Sequence, residues 1–191
     1  MADNDIQYDL AQRRLAVDRF LADVEHRALH MAMIATRQRD DALDIVQDAM
    51  LTWANHYVAY PTGDWKPLFY KVLNSRIRDW QRRSFVKWRI FGRFGHREDD
   101  SYAGVDGPDC FADPLGGDPV NDLTQRQSLE RLLRGLEQLP LRQQQAFILR
   151  SWEGLDVAAT AVAMGCSQGS VKTHLSRALN SLRAYVGDTD E

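Results

Sequence analysis

Gln168, Ser170, Lys172, Thr173, Ser176, Arg177, Asn180 and Arg183 fall on one side of a helical projection, and Val171, Leu175, Ala178, Leu179, Leu182 and Val186 on the other. The first set combines short hydrogen-bonding side chains with cations and holds no carboxylate. Lys and Arg neutralise phosphate, while Gln, Ser, Thr and Asn reach base edges, so this face suits the major groove of duplex DNA. A solvated helix in an ordinary bundle is the competing reading, and it leaves the missing carboxylates unexplained. A second constellation lies in the run Leu73-Asn74-Ser75-Arg76-Ile77-Arg78-Asp79-Trp80-Gln81-Arg82-Arg83, preceded by Tyr60, Trp65 and Tyr70 beside a glycine-containing turn. Cations that track phosphates beside flat aromatic surface form the pattern expected for unstacked, single-stranded nucleic acid. Trp53, Phe69 and Trp80 lie on apolar faces and read as core.

Other candidate chemistry is thin. His26 and His30 are four residues apart on a helix, but no third ligand lies near them, so no metal site is expected. Cys166 reads as a small packed residue, and Cys110 has no neighbouring base to lower its pKa. There is no glycine-rich phosphate loop, nucleophile elbow or pair of catalytic carboxylates. The chain is therefore expected to act without catalysis and without a cofactor. Two distant cysteines, an acidic N-terminus and no apolar run long enough for a membrane span point to a soluble, cytoplasmic protein.

The elements that must position these residues are all helices. Apolar residues at Val17, Phe20, Leu21, Val24, Ala28, Met31 and Ile34 predict a first helix over about 15–34. Leu43, Val46, Met50, Trp53 and Tyr57 predict a second over about 41–57, with Asp40 or Asp41 as cap. After the turn signal Tyr60-Pro61-Thr62-Gly63-Asp64, a third starts near Trp65 with Pro67 in its first turn. Leu129, Leu132, Leu133, Leu136 and Leu139 mark a helix from about Leu123 that Pro140 ends, and another runs from Arg142 to about Trp152. Leu155 to Met164, the turn Gly165-Cys166-Ser167 and a long helix from Gln168 have the form of a helix-turn-helix, with Gly165 left-handed and Ser167 capping. The expected fold is all-α: two small helical domains, 1–91 and 123–191, joined by a flexible acidic Gly/Pro-rich linker over 92–122.

Charge follows the same division. The net charge of −3 over 191 residues conceals three blocks: an acid-rich start with Asp40, Asp41, Asp44 and Asp48, then a basic stretch, then an acidic one. Ten cations from Lys66 to Arg97 face the single acid Asp79, and Glu98 to Asp122 holds eight acids and no base. Separate blocks imply separate electrostatic partners.

Taken in order, three segments resemble the extracytoplasmic-function group of bacterial RNA polymerase sigma factors. Arg39 to Met50, containing Asp41-Ala42-Leu43-Asp44-Ile45-Val46-Gln47-Asp48, resembles the group's polymerase-binding helix. Trp65 to Arg83 resembles its promoter-melting helix. Leu139-Pro140 to Arg150, followed by Glu153-Gly154 and Gly169-Ser170-Val171-Lys172-Thr173-His174-Leu175-Ser176-Arg177-Ala178, resembles its C-terminal promoter-binding domain. The resemblance implies a factor that binds the largest and second-largest subunits of core RNA polymerase and directs initiation at promoters of a stress or envelope-response regulon. It implies polymerase contacts at Asp44, Ile45, Gln47, Asp48 and Met50. Contacts to the −10 element would come from Tyr60, Thr62, Asp64, Trp65, Lys66, Lys71, Asn74, Arg78 and Arg82, and contacts to the −35 element from Gln168, Ser170, Lys172, Thr173, Ser176 and Arg177. An anti-sigma factor is a further partner that the resemblance suggests, without a residue to mark it. The sequence departs from the group's pattern at Leu43, at the Asp156–Ala161 segment and at His174. A dimeric DNA-binding regulator, a nuclease and a pure interaction protein are the competing readings; the first predicts tight duplex binding by the chain alone, the second metal-dependent turnover, and the third leaves the 168–183 face idle.

Overall fold

The computed structural model describes residues 2–91 and 119–187, and every regular element among them is helical. In chain order these are α1 (Ala2–Thr36), α2 (Arg39–Tyr57), α3 (Thr62–Phe91), α4 (Pro119–Gln138), α5 (Leu141–Phe147), a π-turn (Ile148–Trp152), α6 (Val157–Met164) and α7 (Gln168–Gly187). The expected linker lies outside the described residues from 92 to 118, together with Cys110; α4 begins at Pro119 rather than near Leu123.

The N-terminal helices assemble around aromatic rings. Phe20 of α1, Trp53 of α2, and Trp65 and Phe69 of α3 meet with Phe20–Trp53 centroids 4.7 Å apart and Trp53–Trp65 5.3 Å apart, mostly in tilted or edge-on arrangements. These are the geometries that the ring quadrupole favours. The buried face of α2 is centred on Ala42, Ile45, Val46, Ala49 and Trp53, with Leu43 and Met50 half-buried at its edge. Two alanines at its centre let α2 approach its neighbours closely, which shifts the inner face by about one residue from the expected stripe. Two local expectations change. Neither Asp40 nor Asp41 caps α2; both lie in its first turn, where a carboxylate still favours the positive end of the helix. α3 starts at Thr62, so Pro67 sits beyond the first turn, inside the helix.

In the C-terminal half, Leu136, Phe147, Ile148, Leu149, Leu155, Met164, Val171, Ala178 and Leu182 build the core between α4, α5, α6 and α7. Gly135 lets α7 come close: a Cβ there would lie 3.0 Å from both Leu182 Cδ2 and Tyr185 Cδ1. The π-turn after α5 is held by Glu153 N–H donating to Ile148 O at 3.0 Å and Leu155 N–H to Leu149 O at 3.0 Å. It turns Glu153 inward.

His30 of α1 is buried, edge-on to His26 at a centroid distance of 4.4 Å. Burial, and secondarily the neighbouring His26, lowers its pKa from 6.5 to about 4. The folded chain thus keeps the ring neutral where the unfolded chain protonates it. Between about pH 6.5 and pH 4 the unfolded state binds the extra proton, so stability falls as pH drops through that window and is whole above it. We expect a loss of up to about 3 kcal/mol by pH 4 from this group. Urea midpoints measured from pH 7.5 to 4 should show a shallower decline for His30→Gln than for the parent; parallel curves would remove His30 as the cause.

Candidate nucleic-acid interface

The helix-turn-helix forms as its local chemistry dictates. Asp156 caps α6, its Oδ1 accepting the Ala159 N–H at 2.7 Å. Gly165 ends it in the left-handed region at φ 61°, with Cys166 N–H donating to Ala161 O at 3.1 Å and Gly165 N–H to Val162 O at 3.2 Å. That double closure is the Schellman motif, and only glycine takes its C′ position without strain. Ser167 Oγ then accepts the Ser170 N–H at 3.1 Å and opens α7.

On α7, Val171, Ala178 and Leu182 are buried, with Leu175 and Leu179 half-buried. Gln168, Lys172, Thr173, Ser176, Arg177, Asn180 and Arg183 are exposed. Ser170 is half-buried and its hydroxyl lies 2.9 Å from Ser167 Oγ, while Thr173 Oγ1 donates to Gly169 O at 3.0 Å. Each of these hydroxyls keeps acceptor capacity for a further partner. His174 lies half-buried behind this face; burial and then Arg142 and Arg177 lower its pKa, which favours the neutral ring.

The residues expected at a −10 element divide into two groups. Tyr60, Thr62, Asp64, Lys71 and Arg82 are exposed, Arg82 pairing with Asp79 at 3.2 Å. Trp65, Asn74, Lys66 and Arg78 are committed within the protein. Trp65 is 3% exposed; its ring belongs to the aromatic core and its indole N–H donates to Tyr60 O at 2.8 Å. The expected aromatic platform is therefore reduced to Tyr60, because Tyr70 is buried as well. Asn74 is fully buried, its Nδ2 donating to Ala163 O at 3.0 Å. Arg78 donates to Met164 O at 3.3 Å, a carbonyl that also accepts from Arg142 at 2.6 Å. Burial, with Arg142 next, lowers the pKa of Arg78. Lys66 pairs with Glu153 at 3.0 Å.

Of the expected polymerase contacts, Asp44, Gln47 and Asp48 are exposed on α2. Asp48 also pairs with Arg76 of α3 at 3.0 Å. Ile45, 7% exposed, packs into the chain's own core, and Met50 is half-buried there. Leu51, absent from the expected set, is 66% exposed and continues the 44–47–48 face by one helical step. Helical spacing alone is enough to find it. Among the described residues no group of three or more potential metal-ligating side chains occurs. No described helix is long and apolar enough to cross a membrane.

Comparison with known proteins bears on this arrangement. Residues 129–182 match the family described as Sigma-70, region 4, which spans the α4–α7 core and most of the α7 face. The chain is 25% identical to the RNA polymerase sigma factor NccH of Alcaligenes xylosoxydans xylosoxydans, over 97% of each protein. It is 28% identical to the ECF RNA polymerase sigma factor SigM of Mycobacterium tuberculosis, over 94% of this chain and 84% of that one. Two solved structures share its fold. The sigma factor RpoE of Bartonella quintana, solved with the anti-sigma factor NepR, matches with a TM-score of 0.59 at 20% identity, over 96% of this chain and 97% of that one. CnrH, solved with the cytosolic domain of CnrY, matches with a TM-score of 0.56 at 18% identity, over 95% and 96%.

Proposed function

We propose that this chain is a sigma factor of the extracytoplasmic-function group, and that its surfaces divide the work of promoter-specific initiation. The α7 face takes the −35 duplex, the exposed part of the Tyr60–Arg82 segment takes the −10 element, and the Asp44–Leu51 face of α2 docks on core RNA polymerase. The units that do so are residues 1–91 and a C-terminal unit that begins with α4, joined by the acidic segment between them. The chain acts by binding and positioning, and the polymerase supplies the chemistry.

The observation that carries this reading is the exposed α7 face, cationic and free of carboxylates, set by a capped Schellman turn inside the matched segment. For α2, exposed acids around Leu51 suit a basic partner surface with an apolar centre. An anti-sigma partner is supported by the structural neighbours, one solved with the anti-sigma factor NepR and the other with the cytosolic domain of CnrY.

Run-off transcription tests the reading. Purified core polymerase with a pool of genomic promoter fragments should give specific transcripts only when the protein is added. Asp44→Lys should lower core affinity, and transcription at sub-saturating protein, by about tenfold, equivalent to about 1.4 kcal/mol. Asp44 is the cleaner choice than Asp48, because it leaves the Asp48–Arg76 pair intact. Tight duplex binding by the chain alone, with no core binding, would instead favour a conventional regulator.

A further inference from the structure

The turn between α2 and α3 is short, yet it is held at almost every step. Val58 stands at the C-terminal end of α2, where a carbonyl has no partner inside the helix. Arg13 of α1, 45 residues away in sequence, supplies one: its Nη2 donates to Val58 O at 2.7 Å and its Nε at 3.2 Å. The guanidinium also places a positive charge at the negative end of the α2 dipole. Two residues on, the Trp65 indole N–H donates to Tyr60 O at 2.8 Å, and that indole is fixed against Phe20 and Trp53 in the aromatic core. Backbone bonds close the rest, with Tyr60 N–H donating to Tyr57 O at 3.0 Å and Asp64 N–H to Pro61 O at 2.9 Å. The carbonyls of Tyr57, Val58, Tyr60 and Pro61 thus all have donors. A turn held in this way keeps Tyr60 at 48% exposure, with its ring 5.5 Å from that of Tyr57 and the two planes tilted by 48°. Tyr57 thereby backs the exposed ring.

We propose that Arg13 is a positioning residue for the −10 element: from α1 it holds the 58–61 turn so that the Tyr60–Asp64 segment meets an unstacked base in one fixed pose. The inference rests on the reading of that segment as a −10 contact. Two side chains hold the turn from outside it. Trp65 is part of the core, so changing it disturbs the whole N-terminal bundle. Arg13 is exposed, and its donors go to a backbone carbonyl of the turn. Its bond therefore fixes where the turn lies and has little claim on the stability of the helices. Position matters because stacking on Tyr60 tolerates any base, whereas the polar groups of Thr62 and Asp64 tell bases apart only at set distances. A turn released from Arg13 still offers the ring but loses that register. Arg13 thus acts on selectivity more than on total affinity.

The test uses the holoenzyme, core polymerase bound to the full chain. Fluorescence anisotropy compares two fluorescein-labelled single strands: one carries the −10 element of a promoter recovered by run-off transcription, the other is its scrambled counterpart. Arg13→Met keeps the length of the stem and suits a helix, but removes both donors. It should lower the ratio of the two affinities by about tenfold, mostly through weaker binding of the −10 strand. Arg13→Lys, which restores a charged donor, should bring the ratio back to within about threefold of the parent. Core affinity and melting temperature should stay close to the parent's in both variants, although a merely structural role would move them. An unchanged ratio in Arg13→Met overturns the proposal, and so does a fall that Arg13→Lys fails to reverse or that core affinity shares. A Tyr60→Ala, Asp64→Asn double variant separates the inference from the reading beneath it. If that variant loses the ratio while Arg13→Met keeps it, the −10 reading stands and Arg13 has no part in it. If both keep the parent's ratio, the reading of the segment fails and takes the role of Arg13 with it. Added to the double variant, Arg13→Met should cost little more, because the groups it positions are already gone; an additive loss overturns the proposal as well.

Discussion

A Lys172→Glu, Arg177→Glu double variant should lose at least about a hundredfold in affinity for a −35 duplex while remaining as stable as the parent. Both side chains are exposed on α7, away from the Val171–Ala178–Leu182 core, and both replacements are residues that helices accept readily. Removing two cations from the duplex phosphates should reduce the slope of log affinity against log salt by about 2, and the reversed charges add repulsion. The measurement is anisotropy titration on a promoter duplex recovered by run-off transcription, at several salt concentrations, beside a thermal melt. An unchanged affinity and slope would move the duplex contact off α7. Thr173→Ala makes the contrasting case. Its hydroxyl already bonds Gly169 O, so it can affect base preference but should leave the salt slope unchanged.

Trp53→Ala should cost about 3–5 kcal/mol, the range for removing a fully buried large aromatic. Trp53 is 0% exposed and touches both Phe20 and Trp65, so one truncation opens a cavity where α1, α2 and α3 meet. For a chain of this size that loss lowers the melting temperature by roughly 10 °C or more. Trp53→Phe should cost much less: it keeps a ring in place and removes an indole N–H that is buried without a hydrogen-bond partner. Thermal melts of the two variants check the claim. Equal losses would mean that shape at this site matters less than the N–H, contrary to the packing argument.

Much of this architecture is legible in the sequence because it is local. Gly165 and Ser167 announce the turn of the helix-turn-helix, and the stripe from Val171 to Leu182 sets which side of α7 faces out. The Asp156 cap is equally readable, standing just before Val157 with its partner three residues on. Trp65 departs from expectation because helix α3 begins earlier than the Pro67 signal suggests. Once the helix is taken from Thr62, Trp65 falls in phase with Phe69, Val72 and Leu73, and so belongs to the core. Ile45 turns inward for a related reason, since two alanines rather than large apolar residues centre the inner face of α2. The fates of Lys66, Asn74 and Arg78 are not legible. Polar residues at helical spacing look solvated, and the carbonyl that Asn74 bonds lies 89 residues further along the chain. Glu153 beside Gly154 likewise looks like an exposed turn acid. Only the tertiary approach of Arg27 and Lys66 makes it a buried one.

The closed ends of α6 bear on how quickly the two halves can part. Asp156 caps its first turn and the Gly165 turn closes its last, while Asn74 and Arg78 of α3 add donors to the carbonyls of Ala163 and Met164. Separation of α6 from α3 along this seam therefore gives up those two α3 donors, while the caps at both ends of α6 stay within the C-terminal half and no turn of helix has to melt first. Such a step belongs with the rigid hinge motions of microseconds to milliseconds rather than with slower local unfolding. A partner that captures the parted form would then meet it as often as the seam gives way, without waiting for any segment to refold.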